Sequence, residues 1–279
     1  MAKRFRPTPT PALTGPALVE TLLVGWRALS RLDVDGFAVL RSRGVTRRAN
    51  SVVPLDPPTD LAGLDAALTR IEGLFAAAGE RAVFRLFTAD GLDHGPVRTA
   101  LHERGHVPDR PVQIQQLALP VPRAVPDPRA TIAVGAPPED WLEAAWRLAP
   151  RPEDGAKETL RDLAAGTPAL YLSLAAPGAS APKDVLAVGR AALVPHRRRT
   201  VAVLDMIAVD PDHRREGLGR AVVRSLLALA AVQGADLALL EVEEQNTAAR
   251  ALYRAEGFRA AGEYRYLTSD PAGTEREPS

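Results

Sequence analysis

Residues 204–229, LDMIAVDPDHRREGLGRAVVRSLLAL, decide the fold. Their pattern predicts a strand, a short loop that contains Arg214, Arg215, Gly217 and Gly219, and a helix that follows at once. The first amides of a helix have no carbonyl partner within it and carry a partial positive charge. Glycines let the backbone approach a ligand closely, and arginines supply charge-assisted donors. The stretch therefore predicts a loop that binds a phosphate or pyrophosphate.

Two common nucleotide-binding loops fit this stretch poorly. A P-loop requires Gly-Lys-Ser/Thr, whereas the chain has Gly219-Arg220-Ala221. A dinucleotide-binding fingerprint requires a small residue where Val222 stands, and a place near the start of a parallel sheet. The segment instead resembles the coenzyme-A loop of the GCN5-related N-acetyltransferases (GNAT). That family's pattern, Gln/Arg-x-x-Gly-x-Gly/Ala, is matched in full by residues 214–219.

A second motif strengthens the resemblance. Residues 241–258, EVEEQNTAARALYRAEGF, resemble the family's next strand and helix, with Asn246, Tyr253 and the Gly257-Phe258 ending at family spacing. The two motifs follow one another in the family's order, and the resemblance covers about residues 129–268. It implies acetyl-CoA as co-substrate and direct acetyl transfer in a ternary complex, with no metal.

The resemblance also implies residue roles. Tyr253 would protonate the departing thiolate, and Asp205 or Glu241 would take the ammonium proton through a water. Strand alternation places Asp205, Ile207 and Val209 on one face of their strand. The expected cofactor-binding residues are Ile207, Ala208, Val209, Arg214, Arg215, Glu216, Gly217, Leu218, Gly219, Arg220 and Asn246.

Several of these residues also have a simpler structural interpretation. Asn246 is also a good N-cap for the helix that it precedes. Tyr253 could be a packing residue of an amphipathic helix. Asp205 and Glu241 could be surface carboxylates or members of ion pairs. The sequence leaves these alternatives open.

Composition limits the class of protein. The chain has 279 residues, of which 46% are hydrophobic and 25% charged, so a wholly disordered chain is excluded. The formal net charge of +1 does not indicate a nucleic-acid-binding chain. Cysteine is absent, which excludes disulfides and a thiol nucleophile. No signal peptide or membrane-length apolar run is visible, so we expect a cytoplasmic protein with no membrane partner, as a monomer or homodimer.

The order of predicted elements indicates two similar halves. Each half reads strand, strand, helix, strand, helix, strand, with strands predicted at residues 36–41 and 45–55 in the first half. The proline-rich stretch 120–128 separates the halves. We therefore expect an α/β (α+β) fold with a mixed sheet, built as two GNAT-like domains in tandem. The predicted segments are a flexible arm (1–16), a degenerate GNAT-like domain (17–119), a linker (120–128), a catalytic GNAT domain (129–268) and a disordered tail (269–279).

The first half is expected to lack the cofactor site. The loop that corresponds to the phosphate loop is LDPPTD, residues 55–60, which has no glycine. Pro57 and Pro58 have no amide hydrogen to donate, and Asp60 suits the N-cap position, where its carboxylate would compete with an anion for the helix amides. Residues 44–54, GVTRRANSVVP, resemble a tandem-GNAT group described in part as N-acetylglutamate synthase-like.

These observations predict an acetyl-CoA-dependent N-acetyltransferase. Its acceptor would be a small primary amine, such as the α-amino group of glutamate, since an α-amine loses its proton far more readily than a lysine. The alternatives are N-acetylation of a peptide, amino sugar or mycothiol-type precursor, and a non-enzymatic coenzyme-A-binding module. Arg47 and Arg48 could bind an acidic acceptor or pair with a local carboxylate, and an acidic cleft would favour cationic acceptors.

Overall fold

A computed structural model describes residues 11–176, 178 and 182–269 of the chain. The helices are α1 (Gly15–Gly25), α2 (Leu61–Ala77), α3 (Gly95–Glu103), α4 (Glu139–Leu148), α5 (Ala156–Ala165), α6 (Leu218–Val232) and α7 (Thr247–Ala255). The strands of the first half are β1 (Ser30–Val34), β2 (Phe37–Arg41), β3 (Val52–Pro54), β4 (Val83–Thr88), β5 (His106–Pro108) and β6 (Val112–Ala118). Those of the second half are β7 (Ala130–Gly135), β8 (Ala169–Ala175), β9 (Val185–His196), β10 (Arg199–Val209), β11 (Ala235–Glu243) and β12 (Arg259–Ser269).

The described strands form one mixed sheet, in the order β1-β2-β3-β4-β12-β6-β11-β10-β9-β8-β7, with β5 paired to β12. The pairs β3–β4 and β10–β11 are parallel, and the other pairs are antiparallel. The last strand of each half is inserted into the other half, because β12 lies between β4 and β6, and β6 lies between β12 and β11. The mixed α/β fold predicted from the sequence is thus confirmed, and the two halves share one sheet.

Helices cover both faces of this sheet. Successive residues of β10 alternate between two cores, with Val201 and Val203 in one and Ala202 and Leu204 in the other. The first core contains α1 and α4, and the second contains α6. A third core packs α2 and α3 against β2 and β4. Helix α1 belongs to the first half of the sequence, yet it contacts β9 and β10 of the second half.

The structure differs from the sequence-based predictions at several local points. Residues 45–55 were predicted to be one strand, which is wrong: residues 47–49 form a 3-10 turn, and β3 begins only at Val52. The side chain of Asn50 makes hydrogen bonds to backbone groups of residues 42–46, so this segment forms a closed loop rather than a strand. Residues 120–128 contain no helix or strand. In the predicted arm, α1 begins at Gly15 and Leu13 is buried, whereas residues 1–10 and most of the predicted tail lie outside the described residues.

Candidate active site

The site lies where two parallel strands part. Pairing between β10 and β11 ends at Leu204 and Leu240. Beyond that point β10 has a bulge, with Met206 at φ 49° and an interrupted register between Asp205 and Ala208. A cavity of about 660 Å³ opens there, lined by residues 204–208 and by Glu241 and its neighbours on β11. Backbone amides of β10 that face the gap therefore have no partner strand.

Because of the bulge, the side chains of β10 do not alternate between the two faces as predicted. Asp205, Ile207 and Val209 were expected on one face, and this is wrong. Ile207 and Val209 pack with the α6 core, whereas Met206 and Ala208 pack with the opposite core. Asp205 shares the latter face, because its carboxylate pairs with Arg190 beside α1 and α5. A bulge places two consecutive side chains on one face, and simple period-two alternation cannot reveal it.

The predicted phosphate loop leads directly into α6. Gly217 is the N-cap residue, has φ 82°, and provides no side chain to satisfy the first amides of the helix. Arg215 also adopts a left-handed conformation, with φ 71°. A Cβ atom at Gly217 would meet no atom within 4 Å, so glycine is favoured here by the backbone angle and the space above the loop is open. The unpaired amides of Leu218 and Gly219 suit an anion.

The arginines of this loop differ in their surroundings. Arg214 and Arg215 are exposed, as is Glu216. Arg220 lies in the first turn of α6 and pairs with the buried Glu256 at 3.1 Å, a carboxylate that Arg224 shares. Arg220 thus has a structural partner besides its expected role in cofactor binding.

Tyr253 and Asn246 both line the cavity from α7. Tyr253 is buried against Phe258, and burial raises its pKa to about 12. Its hydroxyl therefore stays protonated at neutral pH and is able to donate a proton. Asn246 caps α7, since its Oδ1 accepts a hydrogen bond from the amide of Ala249 at 3.1 Å. The capping role that the sequence left open for Asn246 is thus present in the structure.

Asp205 is one of two buried carboxylates at the cavity. Its Oδ2 accepts a hydrogen bond from Arg190 Nη1 at 2.7 Å, and both side chains are almost wholly buried. Burial raises the pKa of Asp205, while Arg190 and Arg48 act in the opposite direction. Arg190 also donates to the carbonyl groups of Ala164, Gly25 and Thr167. The guanidinium therefore joins β9, β10 and the ends of two helices.

Glu241 is the second buried carboxylate. Its Oε2 accepts from Arg48 Nη1 at 2.7 Å, and its Oε1 lies 3.6 Å from Arg85 Nη1. Burial opposes the charged form of Arg48, but Glu241 and then Asp205 raise its pKa above the usual value. Within the described residues, Asp205 Oδ1 and Glu241 Oε1 are buried without a hydrogen-bond donor. Both oxygens are enclosed by the protein atoms around them, although the two residues line the cavity.

The first half of the chain supplies one wall of the cavity. Trp26, at the end of α1, lies between Arg48 and Arg190, whose guanidinium carbons are 4.9 and 5.5 Å from its ring centre. Arg47 stacks on Tyr266 at 4.1 Å and pairs with Asp109. Sequence reasoning singled out the two arginines of residues 47 and 48 but missed Trp26, Arg190 and Tyr266. A charged residue in the apolar strand VLAVGRAALV was the available signal for Arg190.

The corresponding loop of the first half differs from the phosphate loop. Asp60 caps α2, and its carboxylate accepts from the amide of Gly63 at 2.8 Å. This carboxylate occupies one of the amides that an anion would need. The described residues contain no group of three or more His, Asp or Glu side chains arranged to hold a metal ion. None of the described helices is both long and apolar enough to cross a membrane.

A comparison with protein families identifies the group to which this sequence is related. The family described as "Probable histone acetyltransferase Rv0428c C-terminal" matches residues 18–267, which is most of the chain. The chain belongs to this family. It is therefore a member of the GNAT-type N-acetyltransferases, which are acyltransferases and use acetyl-CoA.

Curated relatives match a short part of the chain. Over 60 residues it is 47% identical to the ribosomal protein bS18-alanine N-acetyltransferase of Escherichia coli. This stretch is 22% of this chain and 40% of that protein. Over 72 residues it is 40% identical to N-acetyltransferase family 8 member 3 of Rattus norvegicus, covering 26% and 32%. The matched stretch thus spans less than half the length of these relatives.

Solved structures share the fold over most of the chain. A GCN5-related N-acetyltransferase from Kribbella flavida has a TM-score of 0.58 at 19% identity, covering 92% of this chain and 94% of that one. A tandem GNAT protein from the clavulanic acid biosynthesis pathway has a TM-score of 0.60 at 14% identity, covering 80% and 76%. At these identities the likeness concerns the fold alone.

Proposed function

We propose that this family member transfers an acetyl group from acetyl-CoA to a small primary amine. One observation carries the proposal: the parted strands β10 and β11 open a cavity lined by Tyr253 and two buried carboxylates. From this cavity β10 leads to the N-terminus of α6, which has no side-chain cap. Bound acetyl-CoA would supply the activated acetyl group. The open amides at Gly217 and the exposed arginines suit its pyrophosphate, so the residues present fit this co-substrate.

Each group of the chain then has a role. The loop of residues 214–219, with Arg220 beside it, binds phosphate through amides and guanidinium groups. The amides of Ile207 and Val209, on the edge of β10 that faces away from β9, bind the acyl-carrying arm and polarise the reacting carbonyl. Ala208 lies between them, and its own amide faces Val188 of β9. Tyr253 donates the proton that the departing sulfur requires.

One of the buried acids accepts the ammonium proton of the acceptor. Asp205 and Glu241 follow the last paired residues of β10 and β11, Leu204 and Leu240, and both line the cavity. The raised pKa of Asp205 makes it a stronger base than an exposed carboxylate. Proton transfer through a water would suit an α-amine, whose pKa is about 7.7–8.0 at a chain terminus. A free amino acid needs a stronger base, because its own carboxylate stabilises the ammonium form.

We also infer that the first half is a degenerate GNAT-like unit in tandem with the second. The inference is supported by the parallel pair β3–β4, which matches β10–β11, and by the reciprocal insertion of β6 and β12. The capped start of α2 explains why this unit would bind no coenzyme A. The resemblance of residues 44–54 to an N-acetylglutamate synthase-like group makes glutamate a candidate acceptor.

The test is thiol release from acetyl-CoA across a panel of amines. The panel includes glutamate, a diamine, an amino sugar and an alanine-terminated peptide, because one relative is described as a bS18-alanine N-acetyltransferase. We expect amine-dependent release and an N-acetylated product by mass spectrometry with at least one small amine. Saturable binding of coenzyme A without release for any amine would contradict the enzyme and favour a binding module.

A further inference from the structure

A closed loop of the first half carries an arginine into the cavity. The side chain of Asn50 accepts from the amides of Ser42 and Gly44 at 2.7 and 3.1 Å. It also donates to the carbonyl groups of Val45 and Thr46 at 2.7 and 2.8 Å. These four bonds hold Thr46 at φ 61°, a conformation uncommon for a β-branched residue. The loop is thereby fixed with Arg48 at the cavity wall.

Most N–H groups of the Arg48 guanidinium make no hydrogen bond to the described residues. It has five N–H groups, and within the described residues Nη1 alone makes a hydrogen bond, to Glu241. Its side chain is 23% exposed and lines the cavity. Trp26 supports one face of the guanidinium. The remaining donors are therefore available to a molecule in the cavity.

The charges around the cavity are unequal. Over the whole lining, four arginines face five carboxylates: Arg47, Arg48, Arg110 and Arg151 against Asp109, Glu153, Asp205, Glu241 and Glu243. At the buried acids the balance is reversed, because Arg190 pairs with Asp205 while both Arg48 and Arg85 lie against the single carboxylate of Glu241. An anionic group bound at Arg48 would offset this local positive charge.

We propose that the acceptor is an amine with an anionic group close to the amine, and that Arg48 binds this anionic group. The amine would lie beside Asp205 and Glu241, which line the same cavity as Arg48. Since Arg48 and Glu241 are bonded to each other, the amine and the anionic group are neighbours in the acceptor. This inference rests on the proposed acetyl transfer and makes Arg48, a residue of the first half, a determinant of acceptor specificity.

The experiment compares matched amines, each as the free carboxylate and as the primary amide: alanine with alaninamide, and glutamate with its α-amide. Because the amide form has the less basic amine, kcat/KM is expressed per unprotonated amine. For the native chain we expect this value to be at least about tenfold higher with the carboxylate, equivalent to ~1.4 kcal/mol. In Arg48→Gln this ratio should fall towards one, chiefly through a raised KM for the carboxylate. Arg48→Lys should restore part of the ratio.

Arg70→Gln is the matched control, because Arg70 is an exposed arginine that pairs with Asp35 and does not line the cavity. It should keep the native ratio. Calorimetric titration of the same pairs into each folded variant gives a second readout without turnover. A native ratio of one or less, or an unchanged ratio in Arg48→Gln, would overturn the inference. No acetyl transfer to any amine would instead count against the proposed function.

Discussion

Replacement of Tyr253 by phenylalanine should reduce kcat by roughly 10²–10⁴, the usual contribution of an acid–base group. The variant keeps the ring that packs against Phe258 and removes only the hydroxyl that donates the proton. Because burial holds the pKa of this hydroxyl at about 12, it is protonated throughout the neutral range. The measurement is steady-state thiol release with saturating acetyl-CoA and amine.

The control is Tyr171→Phe. Tyr171 is also buried, but its hydroxyl donates to the carbonyl of Ala164 and the residue does not line the cavity. This variant should keep native kcat, with a small loss of stability of about 1 kcal/mol from the missing hydrogen bond. A Tyr253→Phe enzyme with native kcat would remove the hydroxyl from the mechanism.

The second large effect concerns stability. Arg190→Met should lower the free energy of unfolding by about 3–5 kcal/mol, because removal of one partner leaves a buried charge uncompensated. The carboxylate affected is Asp205, and three backbone carbonyls lose a donor as well. Chemical denaturation at neutral pH measures the change.

Two further variants test whether the uncompensated charge causes the loss of stability. The double variant Arg190→Met/Asp205→Leu removes both charges and should recover much of the lost stability. Arg161→Met breaks the exposed pair with Glu139 and should cost less than about 1 kcal/mol. A loss below about 1 kcal/mol in Arg190→Met would show that this buried pair does not stabilise the fold.

Local patterns made most of the second half predictable. The sequence predicted a helix directly after the loop of residues 214–219 and another within residues 241–258, and α6 and α7 lie there. The motif at residues 214–219 indicated a coenzyme-A loop. Asp60 was predicted to cap α2, and its carboxylate does so. These features depend on residues near one another in the sequence.

The features that escaped prediction depend on distant residues. The bulge at Met206 reverses the side-chain order that alternation predicts for β10. The insertion of β12 between β4 and β6 depends on pairing across the whole chain, which no local pattern encodes. Trp26 reaches the cavity because α1 packs on β10, where Gly25 allows close approach to Val203. The two halves therefore share the site, as the candidate role of Arg47 and Arg48 suggested, but the contribution of Trp26 was not predicted.

The central claim is that the loop before α6 binds coenzyme A. Calorimetric titration of coenzyme A into the native chain, Gly217→Glu and Gly79→Glu tests it most directly. Both glycines have positive φ angles, 82° and 69°, and open space at Cβ, so the two variants share their backbone strain and charge change. Gly79 lies beyond the end of α2, outside the residues that line the cavity.

We predict saturable binding to the native chain and to Gly79→Glu. Binding to Gly217→Glu should be at least about tenfold weaker, since a carboxylate there repels phosphate and competes for the amides of α6. Absence of coenzyme-A binding by the native chain, or equal affinity in Gly217→Glu, would contradict the account.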